Sequence, residues 1–256
     1  MICAAAKVGG IYANHTYPGQ FLFENLSIQN NLIHFSHEHE VKYLLFLGSA
    51  CIYPKYADQP IKEGSMLSGP LEPTNEPYAL AKIAGIKLCE TYYKQYSDNF
   101  ISIMPNNLYG PNDNFHPDTS HVIPALIQKF HNAKVTSSKY VEIWGTGNPL
   151  REFLHVDDLS EAILFIINNI SVEEIYNRGI SHINVGSGEE FSIHELALMI
   201  KKIVGFKGKI KFDKSKPDGT PRKLLDTSIM NKKGWKPKIK LKDGIKDLYS
   251  YYKIYI

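Results

Sequence analysis

Two short runs that are apolar almost throughout, Tyr43 to Gly48 and Ile101 to Met104, stand on either side of a helix-length stretch, and this spacing constrains the fold more than any other feature. A run too short for a helix and apolar on both faces reads as a strand buried from both sides, the kind found in parallel sheets. Between the two runs, a Pro- and Gly-punctuated loop extends to Pro77 and an amphipathic helix follows over about Tyr78 to Tyr96. Upstream, Ile2 to Ala6 reads as another short buried strand ending in Lys7-Val8-Gly9-Gly10, and Phe21 to His37 as the helix after it. Strands alternating with helices of this length build parallel βαβ units, so the chain is expected to be α/β with a doubly wound parallel sheet.

From about Phe115 the pattern breaks up. Short strands at Val141 to Trp144, Phe153 to His155 and Ile183 to Val185 alternate with helices near His121 to Asn132, Val156 to Asn168 and Ser192 to Val204. Residues 1–114 are therefore expected to form the main sheet, and residues 115–256 a smaller α/β lobe interleaved with its last part. A length of 256 residues with 43% hydrophobic content suffices for a substantial core. The net charge of +3 is small, and the lysines that thicken toward the C-terminus read as a solvated face, so nucleic acid is not expected as a partner. Cys3, Cys51 and Cys89 are too few and scattered for a disulfide framework or a metal site, which points to a reduced, cytoplasmic setting. No apolar run approaches the roughly 20 residues needed to span a bilayer, so no membrane association is expected.

Several residues carry candidate chemistry. Ser49 follows the strand that ends at Gly48, and Tyr78 and Lys82 lie at i and i+4, on one face of a helix. An ammonium there is expected to lower the tyrosine pKa and make the phenol a proton donor to a carbonyl. Tyr249 and Lys253 repeat the spacing, and the strand ending in Gly48-Ser49 distinguishes the first pair. Cys51 reads either as a small buried hydrophobe or as a reactive thiol, because it sits just beyond a strand's C-terminal end, where open parallel sheets bind ligands. His121 is either a helix-start histidine or the acid partner of Cys51, the two able to invert a carbon next to a ketone from opposite faces. The segment Pro105-Asn106-Asn107-Leu108-Tyr109-Gly110-Pro111 is dense in turn formers and amides and reads as a loop after a strand. Lys129, Trp144 and Arg151 would suit a nucleoside diphosphate, and Asp218 could accept hydrogen bonds from a sugar or base.

Long runs carry a resemblance to one family. They include Cys51-Ile52-Tyr53-Pro54-Lys55, Leu71 to Ala79, Ala81 to Glu90, Asn107 to Pro111, Asp113-Asn114-Phe115-His116-Pro117, Ser120 to Leu126 and Lys216-Pro217-Asp218-Gly219-Thr220-Pro221-Arg222-Lys223. The chain resembles the GDP-L-fucose synthases, the epimerase-reductase branch of the extended short-chain dehydrogenase/reductases, over nearly its whole length. The resemblance implies a Rossmann-like sheet, NADP(H) as cofactor, a GDP-sugar substrate and a homodimer. Cys51 would remove protons beside the ketone of GDP-4-keto-6-deoxy-D-mannose and His121 would return them from the other face. Tyr78, Lys82 and Ser49 would serve the following reduction. Cofactor contacts carried over are Leu47, Gly48, Ser49, Ala50, Lys82, Pro105, Asn106, Asn107, Leu108 and His121. Substrate contacts are Lys129, Trp144, Arg151 and Asp218, and no metal is implied.

Two departures from the family pattern stand out. Ala50 occupies a position where the family carries Ser, which removes a hydroxyl but no catalytic group. No Gly-x-x-Gly-x-x-Gly turn occurs near the start, and Gly9-Gly10 does not follow that spacing, so the chain is expected to enter the sheet partway through, with an incomplete cofactor site. A GDP-sugar-binding remnant without turnover, and an epimerase without reductase activity, are the two alternatives this leaves.

Overall fold

The computed structural model describes residues 1–116, 119–216 and 218–255, without the side chain of Ile11. Pro117 and Pro217, which belong to two of the runs above, lie outside the described residues. In chain order the elements are β1 (Ile2–Cys3), α1 (Ile11–Thr16), α2 (Pro18–Glu38), β2 (Leu44–Leu47), α3 (Glu76–Tyr96), β3 (Phe100–Pro105), β4 (Asn107–Tyr109), α4 (Val122–Val135), β5 (Tyr140–Trp144) and β6 (Leu150–His155). They continue with α5 (Val156–Asn169), α6 (Val172–Asn177), β7 (Ile183–Val185), β8 (Glu190–Ser192), α7 (Ile193–Val204), β9 (Lys209–Asp213), β10 (Arg222–Lys223), α8 (Ser228–Lys232) and α9 (Leu241–Tyr255).

The main sheet has the order β1-β2-β3-β7, and every pairing in it is parallel. Its register sets Leu47 beside Ile103 and Pro105 beside Val185, so the carboxyl ends of β2, β3 and β7 open on one edge. Every residue of β3 is buried, as the uninterrupted apolar run requires of a strand covered on both faces. One core layer joins β2 and β3 to α2 and α3 through Ile33, Phe46, Ile83, Ile86 and Phe100. The opposite layer sets Leu45, Ile101 and Ile103 against α5 and α6 through Leu159, Ile163, Ile166 and Ile175.

The lobe is built from a second sheet, β10-β6-β4 with β8 antiparallel on β6, and the pair β5-β9. Its own core packs α4, α7 and α9 together through Ile127, Phe130, Leu196, Ile200, Ile245 and Leu248. Helix α7 is bounded by local chemistry: Ser192 and Glu195 form a reciprocal capping box, and Gly205 closes the last turn at φ 78°.

Two local expectations are corrected. The first strand covers Ile2–Cys3 and stops before Ala4. The segment after β3 is not a plain loop, since Asn107–Tyr109 pairs in parallel with Phe153–His155. Its amides stand in for the apolar side chains a strand usually shows: Asn107 N–H donates to Asn106 Oδ1 (3.0 Å) and Asn107 Nδ2 donates to the Glu152 carbonyl (2.8 Å). Helix α9 puts Tyr249 into the core of the lobe, where His131 Nδ1 meets its hydroxyl at 3.1 Å, and leaves Lys253 exposed. Among the described residues, no helix is long and apolar enough to cross a membrane.

Candidate active site

A cleft of about 640 Å³ lies between the carboxyl edge of the main sheet and the lobe. Its sheet side begins at Leu47 and Gly48. Gly48 N–H donates to the Ile103 carbonyl (2.9 Å), and a Cβ at this position would press on the tip of the Met104 side chain, which would have to move to admit any other residue. Ser49 follows in extended conformation and caps the 3₁₀ turn Ala50–Ile52, its Oγ accepting from Cys51 N–H at 3.4 Å. This turn carries the Cys51 thiol to the cleft wall. Asn75 Nδ2 donates to Cys51 Sγ at 3.3 Å, and Lys223 Nζ approaches the same sulfur at 3.8 Å.

Tyr78 and Lys82 project from the first turns of α3. The Lys82 ammonium lies 5.9 Å from the centre of the Tyr78 ring and donates to the Leu47 carbonyl at 2.8 Å. The expected lowering of the tyrosine pKa is therefore reversed in this structure. Burial pushes the Tyr78 phenol above its usual range and the charge of the neighbouring Cys51 adds to this, while a hydrogen bond with Ser49 opposes both. Burial pulls Lys82 down to about 8, with the charge of Cys3 acting the other way. Cation and phenol are thus neighbours, but the ammonium is satisfied by backbone instead of by phenolate.

Along the edge formed by Pro105, Asn106, Asn107 and Leu108, the Asn106 amide donates to Glu152 Oε2 and to the Lys223 carbonyl (3.3 Å). Glu152 is fully buried and also accepts from Gly188 N–H at Oε1 (2.6 Å) and from Leu225 N–H at Oε2 (3.0 Å). One carboxylate thereby ties the ends of β3, β6 and β7 to the segment after β10.

His121 is the residue before α4 and lines the cleft from the lobe side. The preceding segment is held against Gly10, whose N–H donates to the Thr119 carbonyl at 3.0 Å. A Cβ on Gly10 would lie 2.7 Å from the Ser120 carbonyl oxygen, so glycine at this position serves the close approach of the segment before α4 that carries the imidazole. Asp113 stands nearby: burial raises its carboxyl pKa, an Asn114 N–H bond opposes this, and so does the charge of His121.

On the lobe side of the cleft, Lys129 Nζ lies 5.9 Å and Lys216 Nζ 5.5 Å from the half-exposed Trp144 ring. Arg151 donates to the Leu150 carbonyl (2.8 Å) and the Asp218 carbonyl (3.5 Å). Burial lowers its pKa, against the charges of Cys51, Asp218 and Glu72. The Asp218 carboxylate takes the Thr146 N–H at 2.7 Å and the Thr146 hydroxyl at 2.8 Å, so it also shapes the turn after β5.

Leu47, Gly48, Ser49, Ala50, Cys51, Tyr78, Lys82, Pro105, Asn106, Asn107, Leu108, His121, Lys129, Trp144, Arg151 and Asp218 all line this one cleft. Tyr249 and Lys253 do not, which separates the two pairs of equal spacing. Asn75, Ser120 and Lys223 join the lining: Asn75 and Ser120 stand beside Tyr78 and His121 but carry no spacing signature of their own, and no spacing rule links Lys223 to Cys51, 172 positions away. The Oδ1 of Asn75 and the Oγ of Ser120 are buried and have no hydrogen-bond partner among the described residues. Unpartnered polar atoms on the wall of a cleft fit a polar ligand.

The NAD dependent epimerase/dehydratase family model matches residues 1–186. The chain is 57% identical over 252 residues to a GDP-L-fucose synthase of Arabidopsis thaliana, covering 98% of this chain and 76% of that protein. It is 54% identical over 251 residues to the GDP-L-fucose synthase of Escherichia coli K12, covering 97% and 78%. Among solved structures, a GDP-mannoheptose C4 reductase from Campylobacter jejuni with NADP bound superposes with a TM-score of 0.90 at 43% identity, covering 98% and 80%. Sequence and fold agree that the chain belongs to the NAD dependent epimerase/dehydratase family and, within it, to the GDP-L-fucose synthases.

Proposed function

We propose that this chain catalyses 3,5-epimerisation of GDP-4-keto-6-deoxy-D-mannose followed by NADPH-dependent reduction of the 4-ketone, giving GDP-L-fucose. The observation that carries the reading is the meeting of Ser49, Cys51, Tyr78, Lys82 and His121 in one cleft of about 640 Å³, a size that suits a nucleotide sugar. Relatives named for this activity cover nearly all of the chain.

The residues present fit the reactive end of a nicotinamide cofactor: small residues Gly48, Ser49 and Ala50 leave open wall beside Lys82, whose ammonium stands at the end of β2. Leu47, Gly48, Ser49, Ala50, Lys82, Pro105, Asn106, Asn107 and Leu108 would hold NADP(H) there, with His121 opposite. When bound, NADPH supplies the hydride that reduces the ketone carbon. The remaining chemistry is that of the chain. Cys51, as thiolate, takes a proton from a carbon flanking the ketone, and His121, as imidazolium, returns one from the other face. Ser49 and Tyr78 polarise the ketone oxygen, and Tyr78 delivers the proton to it on reduction. Because the flanking protons are acidic only while the ketone persists, epimerisation comes first. Lys129, Trp144 and Arg151 receive the nucleoside diphosphate, Arg151 by its charge and Trp144 by its ring face. Asp218 supports that pocket through Thr146 and can take a further hydrogen bond from substrate. Residues 1–114 supply the cofactor side and residues 115–256 mainly the substrate side. Free thiols at Cys3, Cys51 and Cys89 suit a cytoplasmic enzyme, and we place it there as a homodimer.

The test follows NADPH oxidation together with deuterium wash-in at C3 and C5 of the substrate in heavy water. Cys51→Ser is expected to abolish the wash-in. Tyr78→Phe is expected to keep it while slowing reduction by about 10²–10⁴-fold, the size of a lost general acid. Absence of both signals in the unmodified chain would overturn the proposal.

A further inference from the structure

We propose that Lys223 is the positioning residue that holds Cys51 as a thiolate for the epimerisation step. The proposal rests on the base role assigned to Cys51 above, and on a contact that joins residues 172 positions apart: Lys223 Nζ stands 3.8 Å from Cys51 Sγ, within reach of an N–H to sulfur hydrogen bond. An ammonium beside a sulfur favours the anionic form, which is the form that can accept a proton from carbon.

The groups around the sulfur come from α3, β6, β10 and the loop before α3. Asn75, at the start of α3, donates its amide at 3.3 Å. Tyr78, in the first turn of α3, feels the charge of the thiol but brings no cation. Arg151 of β6 feels the charge of Cys51, but the hydrogen bonds it makes go to the Leu150 and Asp218 carbonyls, with the carboxylates of Asp218 and Glu72 acting on it too. Glu72 is itself ion-paired with Lys55 at 2.9 Å. Among the described residues, Lys223 is thus the cation within hydrogen-bond reach of the sulfur.

The lysine is held there by its backbone. β10 is registered so that Lys223 lies opposite Arg151. The Lys223 carbonyl accepts from Asn106 Nδ2 (3.3 Å), and the next residue, Leu224, donates its N–H to Gln59 Oε1 at 2.9 Å. Leu225 bridges to Ile61 and donates to Glu152. The segment is clamped between β6 and the loop that follows Cys51, so the ammonium approaches the thiol from a fixed strand. In the proton step the C–H bond beside the ketone breaks as the S–H bond forms, and the ammonium keeps its own proton throughout. Its effect is on how much thiolate exists and where it points.

The experiment measures the rate of iodoacetamide alkylation at Cys51 against pH, by mass spectrometry, in the full chain and in Lys223→Met and Lys223→Arg. It needs neither substrate nor cofactor, so it stands or falls apart from the proposed activity. Lys223→Met is expected to move the profile to higher pH by about one unit, a roughly tenfold slower reaction near neutrality, and Lys223→Arg to recover most of it. The same variants are compared for C3 and C5 deuterium wash-in, where the Met variant is expected to lose about tenfold in rate at saturating substrate while KM changes little. An unchanged alkylation profile in a Met variant with the circular dichroism of the unmodified chain would overturn the proposal. So would a profile left in place while KM alone rises, which would assign the ammonium to the substrate instead.

Discussion

Lys82 is 2% exposed, and burial holds its pKa at about 8 against 10.5 for the free side chain. Between those values the unfolded chain keeps a proton that the folded chain has released, so stability must rise with pH, by at most about 1.4 kcal/mol per unit. Urea titrations at pH 8 and pH 10 are expected to show this gain in the unmodified chain and its loss in Lys82→Met. A flat comparison would mean that the ammonium stays charged in the fold. Above pH 10 the sign reverses through Tyr78: burial raises its pKa, so the folded phenol keeps a proton that the unfolded chain sheds. At this scale the candidate site was partly legible. Ser49 and the Tyr78-Lys82 pair followed from a strand end and a helical spacing, and Cys51 from its place after the strand. Asn75 and Lys223 did not, because their meaning lies in a sulfur that each reaches from a different part of the chain.

Glu152 shows how one buried side chain organises several elements. Burial raises its carboxyl pKa, and N–H groups of Leu225, Gly188 and Asn106 draw it back. Every one of these donors points at an acceptor, so an amide in its place would set N–H against N–H. Glu152→Gln is therefore expected to destabilise the fold by about 3 kcal/mol, as expected for breaking a buried charge-assisted network. The denaturant midpoint measures this loss, and an unchanged midpoint would show that the hub is dispensable. Because Leu225 follows directly on the segment bearing Lys223, the same variant should also slow Cys51 alkylation. The sequence could assign β2, α3, β3 and β7 because continuous apolar runs and helical periodicity are local signals. It could not assign β4, where Asn106 and Asn107 look like turn residues until Glu152 and β6 supply their partners.

On the whole molecule, α2 leaves Phe23 and Phe35 exposed, 72% and 53% respectively. Large exposed aromatics on the helical layer beside the main sheet are what a dimer interface would cover. For the proposed homodimer, the double change Phe23→Asp and Phe35→Asp is expected to shift sedimentation from twice the chain mass to once; sedimentation of the unmodified chain at once its mass would overturn the homodimer, and a dimer unaffected by the pair would overturn this interface. The sequence by itself determined the alternation of buried strands and helices, because burial on both faces writes itself into consecutive apolar residues. It also singled out Ser49, Cys51, Tyr78 and Lys82 as candidate groups at and beyond the end of β2. Only the tertiary structure decided that His121, Lys129, Trp144, Arg151 and Asp218 share a cleft with them, and that Lys223 meets Cys51. These meetings depend on β10 returning to β6 and on Gly10 letting the segment before α4 close in, contacts set by packing between distant segments that no local pattern encodes.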